Sequence, residues 1–380
     1  MKKVYLFNPE NDIALGYGKN TFSLSPTVQA LCRDGAVLPL WYCDRDDCIV
    51  ASDVPSAWLD EMERMFGVKA VTGRDDMSGY KGAPWGWSHH SRKVLSGYGA
   101  EVPGIDRIER IRELSHRRIS ADVMTRLGRE VDFELPPVPV EAVDVDAVKE
   151  CLSRYGSIFV KSPWSSSGRG VIHVDAWSRS VEQRVGAMLR RQGSVTCEQA
   201  LDKTRDFAML FHAADGVVKW IGYSLFFNHE GAAYSGNVIA DDDEIEQALV
   251  DSGADRAHLH ALSSALGRVL TAIIGDDYEG YLGVDMMVTR SGMIAPCVEV
   301  NLRMTMGVVA WLWGRRFLAP GSVARYTVGP VGACNPVGNA VVSDSRLVEG
   351  ALSLNPIGDN TIFSFRVEAY RGSELSQLIV

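Results

Sequence analysis

Two stretches of this 380-residue chain place carboxylates where a strand would bury them. Asp285 stands inside the apolar run "LGVDMMV" (282–288), and in "PCVEVNLRMTMG" (296–307) Glu299, Asn301 and Arg303 alternate with Val298, Val300 and Leu302. Side chains of a strand alternate faces. Val298, Val300 and Leu302 are therefore expected to enter a core, while Glu299, Asn301 and Arg303 share the opposite face at roughly 6–7 Å spacing. The segment "TRSGM" between the two runs reads as a hairpin turn. Pairing its strands brings Asp285 against Glu299. Two facing carboxylates repel unless a cation lies between them. Donors that are all oxygen favour Mg2+ over zinc, and Mg2+ commonly shares its shell with substrate phosphates. The competing reading is a buried Glu–Arg or Asp–Arg ion pair in a sheet.

That competing reading leaves a second stretch unexplained, "VKSPWSSSGRGV" (160–171). Lys161 ends an apolar strand-like run, where a lysine needs an anionic partner. Ser165, Ser166, Ser167 and Gly168 then offer backbone N–H and hydroxyl donors with no bulky side chain in the way, which suits phosphate. The loop is not a Walker motif, because no G-x-x-x-x-G-K-[ST] occurs. It is not a dinucleotide fingerprint either, because a strand-like "VIHV" follows Gly170. Its bland alternative is a surface hairpin tip. Trp164 in this loop would either cover a ligand or latch onto the protein itself.

The bulk composition narrows the partners. A net charge of -9 opposes nucleic acid or an anionic membrane as the main partner, since both need a basic field. The seven cysteines are odd in number, lack C-x-x-C spacing and fall partly in apolar runs, which points to a reducing compartment. The N-terminal apolar run is too short for a signal peptide, and no segment reads as an uninterrupted membrane span. The expected location is the cytoplasm.

Several elements must position these residues. The strand "KKVYLFN", the helix "SPTVQALCRDG" with its Ser cap and first-turn proline, the apolar run "AVLPLWY", the helix "SAWLDEMERMFG" and the short strand "KAVTG" give a βαβ rhythm and a small parallel sheet. The segment "NPEND" after the first strand reads as a polar turn or as the lip of a crevice at the strand's carboxyl end. Residues 105–127 read as helical with an N-cap at Ser115, and the Pro-rich 134–146 as a linker or an edge strand. Strands are expected over 157–162, 171–175 and 194–201, with a helix over 180–192. A β-rich stretch over 206–240 precedes an acidic, solvated helix near 242–250. A strong helix over 255–274 carries Leu259, Leu262, Leu266, Val269 and Ile273 on one stripe. The hairpin, a helix over 305–317 and a β-rich final sixty residues complete the chain. His89 and His90, and His258 and His260, diverge on their helices and make poor joint metal ligands.

Taken in order, "FVKSPWSSSGRGV", "VTCEQAL", "GVDMMV" and "VEVNLRMT" resemble the ATP-grasp superfamily. The likeness implies an α/β fold: a pre-ATP-grasp domain over 1–110, then a two-lobed α+β ATP-grasp domain over 111–320 (small lobe about 115–201, large lobe about 202–320), and a small β-rich extension over 321–380. It implies ATP and Mg2+ as cofactors, with two metal ions and Mn2+ as an alternative. Lys161 would reach the α-phosphate and adenine side, and Ser165 to Gly168 would cover the outer phosphates. Glu198, Gln199 and Leu201 would hold adenine, and Asp206 would take the ribose. Arg117 or Arg118 would serve as the upstream phosphate-binding cation. Asp285, Glu299 and Asn301 would bind metal, and Arg303 would steady the transferring phosphoryl group. The implied reaction is ADP-forming ligation of a small-molecule carboxylate to an amine or thiol through an acylphosphate, in a chain compatible with a homodimer. A small-molecule phosphotransferase and a non-catalytic nucleotide-binding protein are the alternatives.

Overall fold

The computed structural model describes residues 1–72, 76–165, 170–228, 234–332, 340–372 and 375–378. Its N-terminal strands β1 (Lys3–Leu6), β2 (Cys48–Ile49), β3 (Val71–Thr72) and β4 (Lys81–Pro84) form a parallel sheet in the order β3-β2-β1-β4. The helix Pro26–Asp34 begins as its sequence directs, with the Ser25 hydroxyl accepting from Val28 N and proline in the first position. The run "AVLPLWY" departs from expectation: Leu38–Trp41 is a 3-10 turn, and Cys48–Ile49 supplies the second strand instead. Pro39 has no N–H to give a ladder, so the run serves as core through Leu38, Leu40 and Trp41.

The expected N-cap at Ser115 is a helix end. Its hydroxyl donates to Ile111 O and closes the helix Ile105–Leu114, and a new helix runs from Ile119 to Leu127. The break at 115–118 turns Arg117 inward. The Pro-rich segment that follows leads into β5 (Val140–Ala142), which pairs with β8 (Val195–Gln199) at the edge of a second sheet ordered β5-β8-β6-β7, where β6 is Ile158–Lys161 and β7 is Val171–Val174. The helices Val145–Tyr155 and Arg179–Gln192, capped by Asp144 and Ser178, cover this sheet and share a core with it around Val148, Ile158, Val160, Val185 and Val195.

The third sheet has nine strands, ordered β13-β12-β9-β10-β11-β14-β17-β16-β15. Its strands are β9 (Lys203–Ala214), β10 (Val217–Asn228), β11 (Tyr234–Ile239), β12 (Gly280–Thr289), β13 (Ile294–Asn301), β14 (Ser322–Pro330), β15 (Val341–Ser343), β16 (Arg346–Ser353) and β17 (Phe363–Arg371). The β-rich C-terminal extension thus continues this sheet through the β11–β14 and β14–β17 pairings. Along β9, Phe207, Met209 and Phe211 face one core, which includes the apolar stripe of the helix Arg256–Ile274, and Ala208 and Leu210 face the other. The segment Arg256–Asp277 does have the length and mean hydropathy (1.2) of a membrane span, contrary to the sequence reading, yet Leu259, Leu262, Leu266 and Leu270 lie buried in that core. The acidic helix Asp242–Asp251 is also less solvated than expected. Glu246 is buried and accepts from the Tyr223 hydroxyl and Arg256 Nη1.

Candidate functional site

A cavity of about 820 Å³ lies between the second sheet and one face of the nine-stranded sheet, with Pro9, Leu31 and Trp85 of the N-terminal region contributing to its wall. Lys161 enters from the end of β6 and Glu198 from β8. They meet as an ion pair at 2.5 Å, with the two side chains only 8% and 14% exposed. The anionic partner that a buried lysine requires is therefore within the chain. The other carboxylate oxygen of Glu198 is buried and has no hydrogen-bond partner among the described residues.

Opposite this pair, the register of β12 and β13 sets Asp285 directly across from Glu299 and Gly283 across from Asn301. Asp285, Glu299, Asn301 and Arg303 all line the cavity. Val300 and Leu302 are core residues as the alternation predicts, whereas Val298 lines the cavity. A register shift between Asp285 and Met287 disturbs the pleat opposite it. Burial, and then the neighbouring charge of Glu299, push the Asp285 carboxyl up to about 7, while Arg303 and a hydrogen bond from Asn301 pull the other way. Glu299 is held by Arg117, whose Nη2 donates to Glu299 Oε1 at 2.7 Å and also to the Ser165 hydroxyl at 3.2 Å. The carboxylate–arginine pair is thus present, and it links the start of the serine loop to the carboxylate row.

Arg303 is gripped by a residue from the far end of the chain. Its Nε and Nη2 donate to both oxygens of Asp12 at 2.7–3.1 Å, and Nη2 also donates to Asn301 Oδ1 at 2.8 Å. Burial opposes the charge on Arg303, but Asp12, Glu299 and Asp285 raise its pKa above the ordinary guanidinium value. The "NPEND" segment is therefore not an exposed turn. Asn8, Glu10 and Asn11 are buried, Asn8 Nδ2 donates to Gly86 O, and Pro9 lines the cavity. The signal for it was its place at the carboxyl end of β1, where ligands of parallel sheets lie.

Ser165, Gln199, Leu201 and Asp206 also line the cavity. Asp206 Oδ2 accepts from Lys203 Nζ at 2.6 Å and from Asn228 Nδ2 at 3.1 Å. Of the two candidate arginines, Arg117 is at the cavity and Arg118 is exposed away from it. Ser166, Ser167 and Gly168 lie outside the described residues. Trp164 latches onto the protein: Arg112 stacks over its ring at 4.2 Å, its Nε1 donates to Arg112 O, and its backbone exchanges two hydrogen bonds with the Gln192 side chain. His116 abuts the same ring, and burial lowers its pKa to about 4. Of the histidines singled out in the sequence, His89 contacts Glu109, His90 Nδ1 meets Asn20 O, His258 stacks on Phe133, and His260 contacts Glu246.

No protein-family model matches the chain, and no curated protein matches it significantly. Solved structures do. The phosphoribosylamine–glycine ligase of Thermotoga maritima superposes with a TM-score of 0.54 at 10% identity, over 99% of this chain and 94% of that one. The biotin carboxylase of Campylobacter jejuni, solved as a beta-gamma-ATP complex, gives 0.53 at 12% identity, over 98% and 88%. Both superpositions span nearly the whole of this chain. This chain has the ATP-grasp fold. In this ATP-grasp fold the smaller sheet contributes Lys161 and Glu198 to the cleft, and the larger contributes Asp206, Asp285, Glu299 and Asn301.

The donor set can be tested against a metal ion. Among the described residues no group of three or more His, Cys, Asp or Glu side chains is arranged to hold a metal alone. Asp285, Glu299 and Asn301 supply two carboxylates and an amide, all through oxygen. This fits Mg2+, which completes its shell with water and phosphate oxygens, better than zinc. The carboxyl of Asp285, driven up by burial and then by its neighbour Glu299, is the feature a divalent cation would reverse.

Proposed function

We propose that the chain is an ATP- and Mg2+-dependent ligase that joins a carboxylate to an amine or thiol and releases ADP and phosphate. The observation that carries the reading is the single cleft in which a Lys161–Glu198 pair on one sheet faces an Asp285–Glu299–Asn301 set on the other. Glu198, with an unpartnered buried oxygen beside Gln199 and Leu201, suits the exocyclic amine of adenine. Lys161, Arg117 and Ser165 suit phosphate oxygens, and Asp206 suits a ribose hydroxyl. Asp285, Glu299 and Asn301 would hold Mg2+, which neutralises phosphate charge when bound. Similarity of fold to a protein named as a glycine ligase and to a carboxylase solved with an ATP compound agrees with this reading.

In the proposed reaction a substrate carboxylate oxygen attacks the γ-phosphorus. The bond from that phosphorus to the β,γ-bridging oxygen breaks, and ADP leaves. The amine then attacks the acyl carbon, gives up a proton, and inorganic phosphate departs with the former carboxylate oxygen. The chain's part is alignment and charge neutralisation, which Arg117, Lys161 and Arg303 are placed to provide. Trp164, fixed to Arg112 and Gln192, holds the start of the serine loop against the same cleft.

The test measures ADP and inorganic phosphate separately, with Mg·ATP and a pooled metabolite extract. The blank is Glu299→Gln, which keeps an acceptor for Arg117. Both products rising together, only with extract and only in the wild type, is the expected result. ADP without free phosphate would replace the ligase by a phosphotransferase. Normal turnover in the folded Glu299→Gln variant would remove the metal assignment.

A further inference from the structure

The cavity has two chemically different ends. Its charged lining comes from β6, β8, β9, β12, the end of β13 with the residues just after it, and the 115–118 break, which together supply Lys161, Glu198, Lys203, Asp206, Asp285, Glu299, Arg303 and Arg117. Along the same sheet face, strand order carries the cavity past β10 to β11, β14 and β17. There the wall is Leu31, Trp85, Phe226, Met306, Val328 and Phe363. Among the described residues β11, β14 and β17 contribute no charged side chain to the cavity, and Arg303, beside Trp85 through Met304, is tied to Asp12. Behind Trp85, Phe7 packs edge-on against both Trp85 (5.1 Å) and Phe365 (5.9 Å).

The few polar groups of the arm are already engaged with one another. The Tyr234 hydroxyl donates to Asn237 Oδ1, and Asn237 Nδ2 donates to Ser224 Oγ at 2.6 Å and to Leu225 O at 3.2 Å. That uses both amide hydrogens of Asn237 and leaves the hydroxyl hydrogen of Ser224. Ser224 sits where the two ends join: it is in register with Ala208, Ala208 with Asp285, and Asp285 with Glu299. A polar head would therefore lie toward the Ser224 end of the arm, next to the carboxylate row. A tail reaching toward Val328 and Phe363 would meet only apolar surface and spent hydrogen bonds. A charged or polyhydroxylated tail would lose its water there without replacement.

We infer that this arm takes the tail of the acid that is activated, and that this acid is a monocarboxylic acid with an aromatic or branched aliphatic tail, hydrophobic amino acids included. The inference rests on the ligase reading above, which supplies the reason for a carboxylate to lie beside the Asp285–Glu299 row.

Saturation-transfer NMR on the full chain, with and without the Mg2+ complex of β,γ-imido-ATP, tests it. The probes are 3-phenylpropanoate and L-phenylalanine against L-aspartate and D-gluconate. Transfer to the ring protons of the first two, with none to the last two, is expected. Val328→Asp places a carboxylate in the arm at a half-buried position. It is expected to weaken 3-phenylpropanoate about tenfold or more, while calorimetric affinity for Mg·ATP stays within about twofold because the substitution is remote from that end. Should Val328→Asp fail to fold, the nearly isosteric Val328→Thr is expected to weaken the same probe by about threefold. Binding of aspartate or gluconate equal to that of the apolar acids, no binding of any acid, or indifference to both substitutions would overturn the inference. Loss of Mg·ATP binding in the wild type would instead overturn the ligase reading, so the two failures are distinguishable.

Discussion

The Asp12–Arg303 pair gives a quantitative prediction. Replacing Asp12 by Asn keeps the shape and removes the charge that meets two guanidinium nitrogens. The side chains are 15% and 13% exposed for Arg303 and Asp12, so the pair is largely withdrawn from solvent. Removing one member of such a pair costs about 3–5 kcal/mol when nothing else compensates. Here Asn301 Oδ1 and Met304 O still accept from Arg303, and some solvent reaches the site. The expected loss is therefore about 2 kcal/mol, roughly thirtyfold in the folding equilibrium. Arg303→Met should cost a similar amount by stranding Asp12. The double variant Asp12→Asn/Arg303→Met should cost less than the sum of the two by about 1–2 kcal/mol, because neither charge is then left alone. Urea unfolding of the four proteins closes the cycle. Single variants within about 0.5 kcal/mol of wild type, or additivity within that margin, would refute the reasoning. Asp12→Asn should also lower turnover in the assay above, since Asp12 positions Arg303 without itself reaching the carboxylate row.

Two further outcomes concern the cleft. With the Asp285 carboxyl pushed up to about 7, the metal-free folded chain retains a proton there that the unfolded chain loses in the ordinary carboxylate range. Stability of the wild type should thus fall as pH rises through that window. Asp285→Asn removes the dependence, so in EDTA its stability relative to wild type should rise by about 1–2 kcal/mol between about pH 5 and 8, after allowance for partial exposure. Parallel pH profiles would dismiss the assignment. Lys161→Met leaves Glu198 as an unpaired carboxylate in the cleft, and should weaken Mg·ATP by about tenfold to a hundredfold. Adding Glu198→Gln should recover stability but not affinity. Calorimetry showing an unchanged nucleotide affinity in Lys161→Met would separate this lysine from the phosphates.

What the sequence made legible was local in period or spacing. The facing of Asp285 and Glu299 followed from two-residue alternation and a short turn, and the long helix over 256–274 followed from its apolar stripe. The partner of Lys161 could be required but not named, because Glu198 reaches it through the pairing of β6 with β8. Arg117 could not be told from Arg118, since which side chain turns inward depends on how the chain breaks between two helices. Asp12 was hidden for a different reason: its partner is 291 residues away, and no periodicity connects them. The run "AVLPLWY" misled because its apolar content suits a strand, while Pro39 denies it a ladder. The cleft itself is assembled from two sheets and the N-terminal region, which meet only in three dimensions.

The nine-stranded sheet runs without interruption from the carboxylate row on β12 and β13 to the apolar wall on β14 and β17. On the proposed reading, reaction chemistry and substrate choice would thus lie on one continuous sheet but on strands far apart in the chain. The charged end draws on residues 117–303, whereas the far wall includes Val328 and Phe363 beside Leu31, Trp85, Phe226 and Met306. On that reading, exchange of the C-terminal segment would alter the arm at Val328 and Phe363 while leaving Lys161, Asp285, Glu299 and Asn301 in place. If the ligase reading holds, such a layout would let changes in β14 and β17 vary the acid that is accepted with the charged end held constant. It also marks that segment as the place to graft when a new specificity is sought.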